Sequence, residues 1–393
     1  MNNGGTMKKS LFVLIVVASS WVLSSCRSHT TKDPLPMTED PALQSSMQNL
    51  KFQMDQILPF LVSPRAFSAP ENQAKISGQI RVLERVSQNV THSPAMQNQD
   101  PTLSFLSRGF HDDIRRARES FEQGKPEYAR TTLLSTGAYC IECHTRTSAG
   151  PSFHSSEFQQ SLTNLRPLDR GEYLLATRQY DAALKEFDAA IKQGTSGGNT
   201  VFDLDKATRL SLLASVRFQS DPDKAMQIVD DVLKTETVPF YLKTNARVWK
   251  QSLNEWKKEK NVGKRDVLKV SHELIEKGRK RQQAGEERSG DIELMRAQAL
   301  LHPLLATEKN QKRLGEALYL TGVAYEAVRD LAMWSLHEDY YEVCIRKAPH
   351  TEWSSRCYKK LEESVQLGYT GSAGTSVPAD VRRKLDDLKA LAL

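Results

Sequence analysis

The chain has 393 residues, enough for two or three domains, and its 39% hydrophobic and 26% charged residues suit a soluble, helix-rich protein. The formal charge is +6, yet the densest basic run, Lys257 to Lys269 with Lys277 to Arg281 after it, is interleaved with acids. Such a run reads as a solvated helix surface, and no arm or stripe has the basic density of a nucleic-acid footprint.

At the N-terminus, Lys8-Lys9 precedes an apolar run, Ser10 to Leu23, that is short for a bilayer span. A basic segment followed by a short apolar one reads as an export signal. It ends in Leu23-Ser24-Ser25-Cys26, which resembles the bacterial lipoprotein lipobox. The resemblance implies removal of residues 1–25 and lipidation of Cys26. It also implies anchoring on the periplasmic side of the outer membrane, because Arg27 stands where the inner-membrane retention signal has Asp. An ordinary cleaved signal with a spare Cys is the alternative. Residues 26–40 are polar and carry Pro34 and Pro36, as a tether would.

Residues 41–146 carry four apolar stripes with helical spacing. The first is Leu43, Met47, Leu50, Met54, Ile57 and Leu61, expected to be ended by Pro59 and Pro64. The second is Ile76, Ile80, Leu83, Val86 and Val90, and the third Leu103, Leu106, Phe110, Ile114, Ala117 and Phe121. The fourth opens at Pro126, in the first-turn position Pro favours, and runs through Ala129, Leu133, Thr136, Cys140 and Cys143 as one helix. Short loops between antiparallel helices give a four-helix bundle with any cofactor in its core.

The fourth stripe ends in Cys140-Ile141-Glu142-Cys143-His144, a C-x-x-C-H sequence with the form of a c-type haem attachment site. On a helix, positions i, i+3 and i+4 share a face. Two thiols so placed can form thioethers to one porphyrin, and the His beside them becomes the proximal iron ligand. A redox dithiol would need a βαβ context, which is absent from the pattern. The remaining alternative is a chance C-x-x-C beside a surface His.

Phe105-x-x-x-Gly109-Phe110-x-x-x-Ile114-x-x-Ala117, then Gly124-Lys125-x-x-x-Ala129 and C-x-x-C-H, is similar to the cytochrome c-prime family and its soluble b-type bundle relative. The resemblance covers about a quarter of the chain. It implies one covalent haem c, anchored by Cys140 and Cys143, with His144 on the proximal side of the iron and Met47 as the distal ligand. Met54 lies two turns further along the same stripe, and some relatives have only an apolar residue over the iron. Three further histidines, His92, His111 and His154, and the arginines Arg115, Arg116 and Arg118 are secondary candidates that read more simply as surface or loop residues.

Residues 147–167 are rich in Ser, Gly and Pro and read as a linker. Residues 168–393 resemble tetratricopeptide-type helix pairs, which stack into an α-solenoid. The clearest unit contains Gly171 and Tyr180-Asp181-x-Ala183-x-x-x-Phe187-x-x-Ala190. Weaker ones contain Asp221-Pro222-x-Lys224-Ala225-x-x-x-Val229, and Gly322-x-x-Tyr325 followed by Tyr340-Tyr341 to Ala348-Pro349. The two remaining cysteines, Cys344 and Cys357, flank a turn, and an exported protein favours their oxidation to a disulfide; two buried thiols are the alternative.

The expected fold class is therefore all-α, a haem bundle followed by a helical repeat array. The expected function is single-electron transfer by a lipid-anchored cytochrome whose repeats bind a redox partner protein. A five-coordinate haem gas or redox sensor and a scaffold lipoprotein with a structural haem are the alternatives. With no Ser/His/Asp order, H-E-x-x-H or phosphate loop in context, the chain is not expected to be an enzyme.

Overall fold

A computed structural model describes residues 40–61, 63–94, 96, 100–144, 160, 162–163, 165–259, 265–284, 287–328, 335–372 and 374–393, apart from the Ser196 side chain. These residues belong to one compact unit, Asp33–Leu393. Among them the structure is helical, apart from a two-stranded hairpin pairing Thr370–Gly371 with Gly374–Thr375. No described helix is long and apolar enough to cross a membrane.

The N-terminal helices are α1 (Pro41–Leu61), α2 (Pro64–Ser68), α3 (Gln73–Thr91), α4 (Leu103–Glu122), α5 (Pro126–Ser135) and α6 (Gly137–His144). α1 packs on α3, α3 on α4 and α4 on α5, and α5 returns against α1 and α2. Burial follows the apolar period: all five residues of the second stripe are inaccessible or nearly so, as are Leu43, Ile57 and Leu61 of the first. Each such side chain contributes about 1.5–3 kcal/mol by leaving water. Phe121 of α4 meets Phe67 of α2 edge to face, with centroids 5.4 Å apart.

Two expectations need correction here. α1 runs through Pro59 and stops at Leu61, so Pro59 is not its end. The fourth stripe is not one helix: α5 ends at Ser135, and α6 starts at Gly137. At the break, the Thr136 hydroxyl donates to the Leu133 carbonyl at 2.6 Å, and the Tyr139 amide bonds the Thr136 carbonyl at 3.1 Å. A side chain competing for backbone groups, followed by a glycine, is a sufficient cause of such a break.

The remaining helices are α7 (Pro167–Ala176), α8 (Tyr180–Gln193), α9 (Val201–Leu212), α10 (Pro222–Lys234), α11 (Phe240–Lys258), α12 (Val267–Ala284), α13 (Asp291–Thr307), α14 (Gln311–Val328), α15 (Leu336–Lys347), α16 (Glu352–Gly368) and α17 (Ala379–Ala392). α9 continues into a π-helical turn, Leu213–Phe218. Each helix from α7 to α11 packs on the next, as does each from α12 to α17, and α13 packs on the π turn. The helix starts are encoded locally. Asp221 caps α10 through the Asp223 and Lys224 amides, while Thr200 with Asp203 and Thr351 with Ser354 form reciprocal boxes.

Some local details recur among the helix pairs. Arg178, Ser220 and His350 all have positive φ, and each stands two residues before a helix start. Gly171 of α7 admits the Phe187 ring of α8, where a Cβ would come within 2.5 Å; Gly322 of α14 admits the Tyr341 ring of α15 in the same way, at 2.4 Å. The pair α15/α16 is closed by a Cys344–Cys357 disulfide, with Cα atoms 6.3 Å apart.

Candidate functional site

A small cavity of about 30 Å³, partly open to solvent, takes its walls from Met47, Leu50, Val90, Met96, Ser107, Phe110, Tyr139, Cys140, Cys143 and His144. The walls come from the first half of α1, the end of α3, Met96 beyond it, the first half of α4 and one face of α6. Helices running alternately up and down bring those segments to one level. Four residues singled out by their sequence context, Met47, Cys140, Cys143 and His144, thus line a common space.

α6 is set by a close approach to α4. Gly109 of α4 has no side chain, and the Tyr139 ring occupies the place where a Cβ would sit, at 2.9 Å. The Tyr139 hydroxyl donates to Asp113 at 3.1 Å, and its ring meets Phe110 edge to face at 6.0 Å. Burial and the neighbouring Asp113 carboxylate push the phenol pKa well above its ordinary value, so Tyr139 is a neutral hydrogen-bond donor.

Two of the cavity's titratable groups, His144 and Cys140, are neutral too. Burial, with a smaller contribution from Arg178, lowers the His144 pKa to about 4, so the imidazole is uncharged near pH 7. Burial raises the Cys140 thiol to about 11. An uncharged imidazole is the form that ligates a metal, whereas a thiol with a raised pKa is a poor redox nucleophile. Two half-buried sulfurs on one helix face, a neutral imidazole beside them, a thioether from another helix and apolar walls form a donor set that fits a porphyrin held by two thioethers. Among the described residues, no three His, Cys, Asp or Glu side chains converge to cage a bare metal ion.

The secondary candidates fall elsewhere. Met54 packs half-buried against the core and does not line the cavity. His111 Nδ1 lies 2.9 Å from the Ser87 hydroxyl, and His92 is exposed at the end of α3. Arg115 and Arg116 pair with Asp112 and Asp113 one turn away, and Arg118 bridges Glu84 and Glu122, so all three lie on a charged helix surface. Cys26 and His154 lie outside the described residues. A separate groove is lined by Glu273, Glu276, Lys277, Lys280 and Arg281; its mixed charge favours no single class of ligand.

The structure adds residues that the motif did not reveal. Met96, which falls outside the helical stripes, is a second buried thioether on the cavity. Glu142, a spacer position in the pentapeptide, is fully buried and accepts both Nη groups of Arg217, at 2.9 and 2.7 Å. Tyr325 donates to the same carboxylate at 2.6 Å. A buried carboxylate is costly without a partner, so a Glu in an otherwise apolar helical run was the available signal; its partners were not.

No family model matches the chain, and neither the curated proteins nor the solved structures include a significant match.

Proposed function

We propose that the protein is a lipid-anchored, periplasmic c-type cytochrome that carries single electrons through one covalently bound haem. The observation that carries this reading is the shared cavity: Cys140, Cys143 and His144 from α6 and Met47 from α1 line one apolar space. In this reading α1, α3, α4 and the α5/α6 pair form the haem bundle. The helices from α7 onward form a tetratricopeptide-like array, which places the bundle against a redox partner protein.

Bound haem would supply reversible one-electron chemistry, with its potential set by axial ligands and burial. Cys140 and Cys143 would hold its two thioethers, and His144 would present a neutral nitrogen to the iron on the proximal side. Met47 would offer sulfur on the distal side, where a thioether raises the potential. Leu50, Val90 and Phe110 exclude water, which limits the charge rearrangement that accompanies each electron. Lipidation at Cys26 would keep the protein at the periplasmic face of the outer membrane. No catalytic role is assigned to any residue.

The test is a pyridine haemochrome spectrum and intact mass of protein exported from a host that attaches haem c. The expected result is one haem per chain, lost in Cys140→Ser/Cys143→Ser. Met47→Ala should leave the haem attached and speed carbon monoxide binding to the reduced protein at least tenfold. Colourless protein with both thiols unmodified would refute the cytochrome reading. Rapid carbon monoxide binding by the unaltered protein, unaffected by Met47→Ala, would instead favour the five-coordinate sensor, for which the apolar walls Leu50, Val90 and Phe110 would suffice.

A further inference from the structure

Haem attachment makes no chemical demand on the second spacer of a C-x-x-C-H sequence, yet here that spacer is a buried charge. The side chains of Glu142 and Arg217 are 1% and 2% exposed. Arg217 reaches Glu142 from the π turn that ends α9, and Tyr325 reaches it from α14. Behind them, the Tyr325 hydroxyl lies 3.2 Å from His302 Nε2, Arg217 Nη2 lies 3.3 Å from His302 Nδ1, and the Tyr325 ring stacks on Tyr340 at 5.0 Å. Residues from the π turn and α14 therefore converge on one side chain of α6, backed by residues of α13 and α15. A π turn adds a residue to the helical register and re-aims the side chains after its start; such turns concentrate at functional sites. In this chain the turn carries Arg217.

We propose that Arg217 and Tyr325 are positioning residues for the attachment helix: through Glu142 they fix the rotation of α6, so that Cys140, Cys143 and His144 present to the cavity. The physical warrant is directional. Apolar side chains would bury α6 as well without setting its rotation, whereas a two-pronged guanidinium–carboxylate pair accepts only one orientation. Buried pairs contribute little net stability but can select one arrangement. The part of the inference that concerns the haem rests on the cytochrome reading; the hold on α6 does not.

Hydrogen exchange on the full chain tests it. In Arg217→Met, the amides of residues 140–144 should exchange at least tenfold faster than in the unaltered protein, with α3 amides unchanged. Arg217→Lys should recover part of that protection, and Tyr325→Phe should accelerate exchange severalfold. In haem-loaded Arg217→Met, carbon monoxide binding to the reduced protein should change at least tenfold. A folded Arg217→Met with unchanged exchange at residues 140–144, or a loaded one with unchanged carbon monoxide kinetics, overturns the proposal. If Arg217→Met fails to fold, unchanged exchange in Tyr325→Phe overturns it instead. Colourless unaltered protein would remove the cytochrome reading, while faster exchange in the variants would still establish the hold on α6.

Discussion

At the scale of single residues, Asp339 makes a prediction of definite sign. It lies near the start of α15, and burial followed by repulsion from Glu342 raises its carboxyl pKa to about 7. Glu338 acts in the same direction, Lys384 and Arg108 oppose it, and the Tyr139 phenol of α6 senses the same carboxylate. The folded-state pKa is above the unfolded value, so the folded chain binds a proton that the unfolded chain releases between about pH 4 and pH 7. The stabilisation linked to that proton is complete below pH 4 and lost as pH rises through 7. Asp339→Asn, which mimics the protonated group, should match the unaltered protein near pH 4. Above pH 7 it should be about 2 kcal/mol more stable, after discounting for the carboxyl's partial solvent access. Chemical denaturation of both proteins across that range decides it, and a constant difference would remove Asp339 as the cause.

At the scale of elements, helix crossings rest on missing side chains. Gly322→Ala would drive a Cβ to 2.4 Å from the Tyr341 ring, and Gly171→Ala would do the same against Phe187. Neither ring can swing aside cheaply, since Tyr341 and Phe187 are fully buried. Each substitution should cost about 1–3 kcal/mol, whereas Gly78→Ala in α3, where a Cβ meets nothing within 4 Å, should gain up to about 1 kcal/mol. Thermal melts of the three variants read both signs. Gly171, Phe187, Gly322 and Tyr341 stand in repeat-like segments of the sequence, but no spacing says that these glycines meet these rings. The Gly278–Gly290 approach of α12 and α13, where a Cβ on Gly290 would sit 2.2 Å from a backbone oxygen, lies in a stretch with no such pattern at all. The same limit explains the cavity. Period 3.6 reveals which face of α1 or α4 turns inward, and C-x-x-C-H singles out three residues that line the cavity. Nothing periodic marks Met96, and the break at Thr136 interrupts neither the apolar period nor the motif, so only its Thr-Gly pair hinted at it.

At the scale of the whole molecule, two buried arginines on one continuous helix, Arg209 and Arg217, tie distant parts of the chain together. Arg209 reaches Asp291 of α13 at 3.1 Å, with both side chains nearly inaccessible, and Arg217 reaches Glu142 of α6. Pairs separated by 82 and 75 positions in sequence cannot be inferred from pattern, because the charge complementarity exists only once the chain is folded. They also predict how energy is shared between α6 and the helices after α7. Removing one member of a buried pair strands the other in a medium of low polarizability, so Glu142→Ala and Arg217→Ala should each cost about 3–5 kcal/mol. The double variant buries no orphaned charge, and it should cost clearly less than the two single losses combined. A coupling energy of at least about 2 kcal/mol, measured by chemical denaturation in a double-mutant cycle, would mean that α6 and the helices after α7 are energetically one body. Additive losses would mean that α6 is held by its contacts with α4 and α7, with Glu142 incidental to its seating.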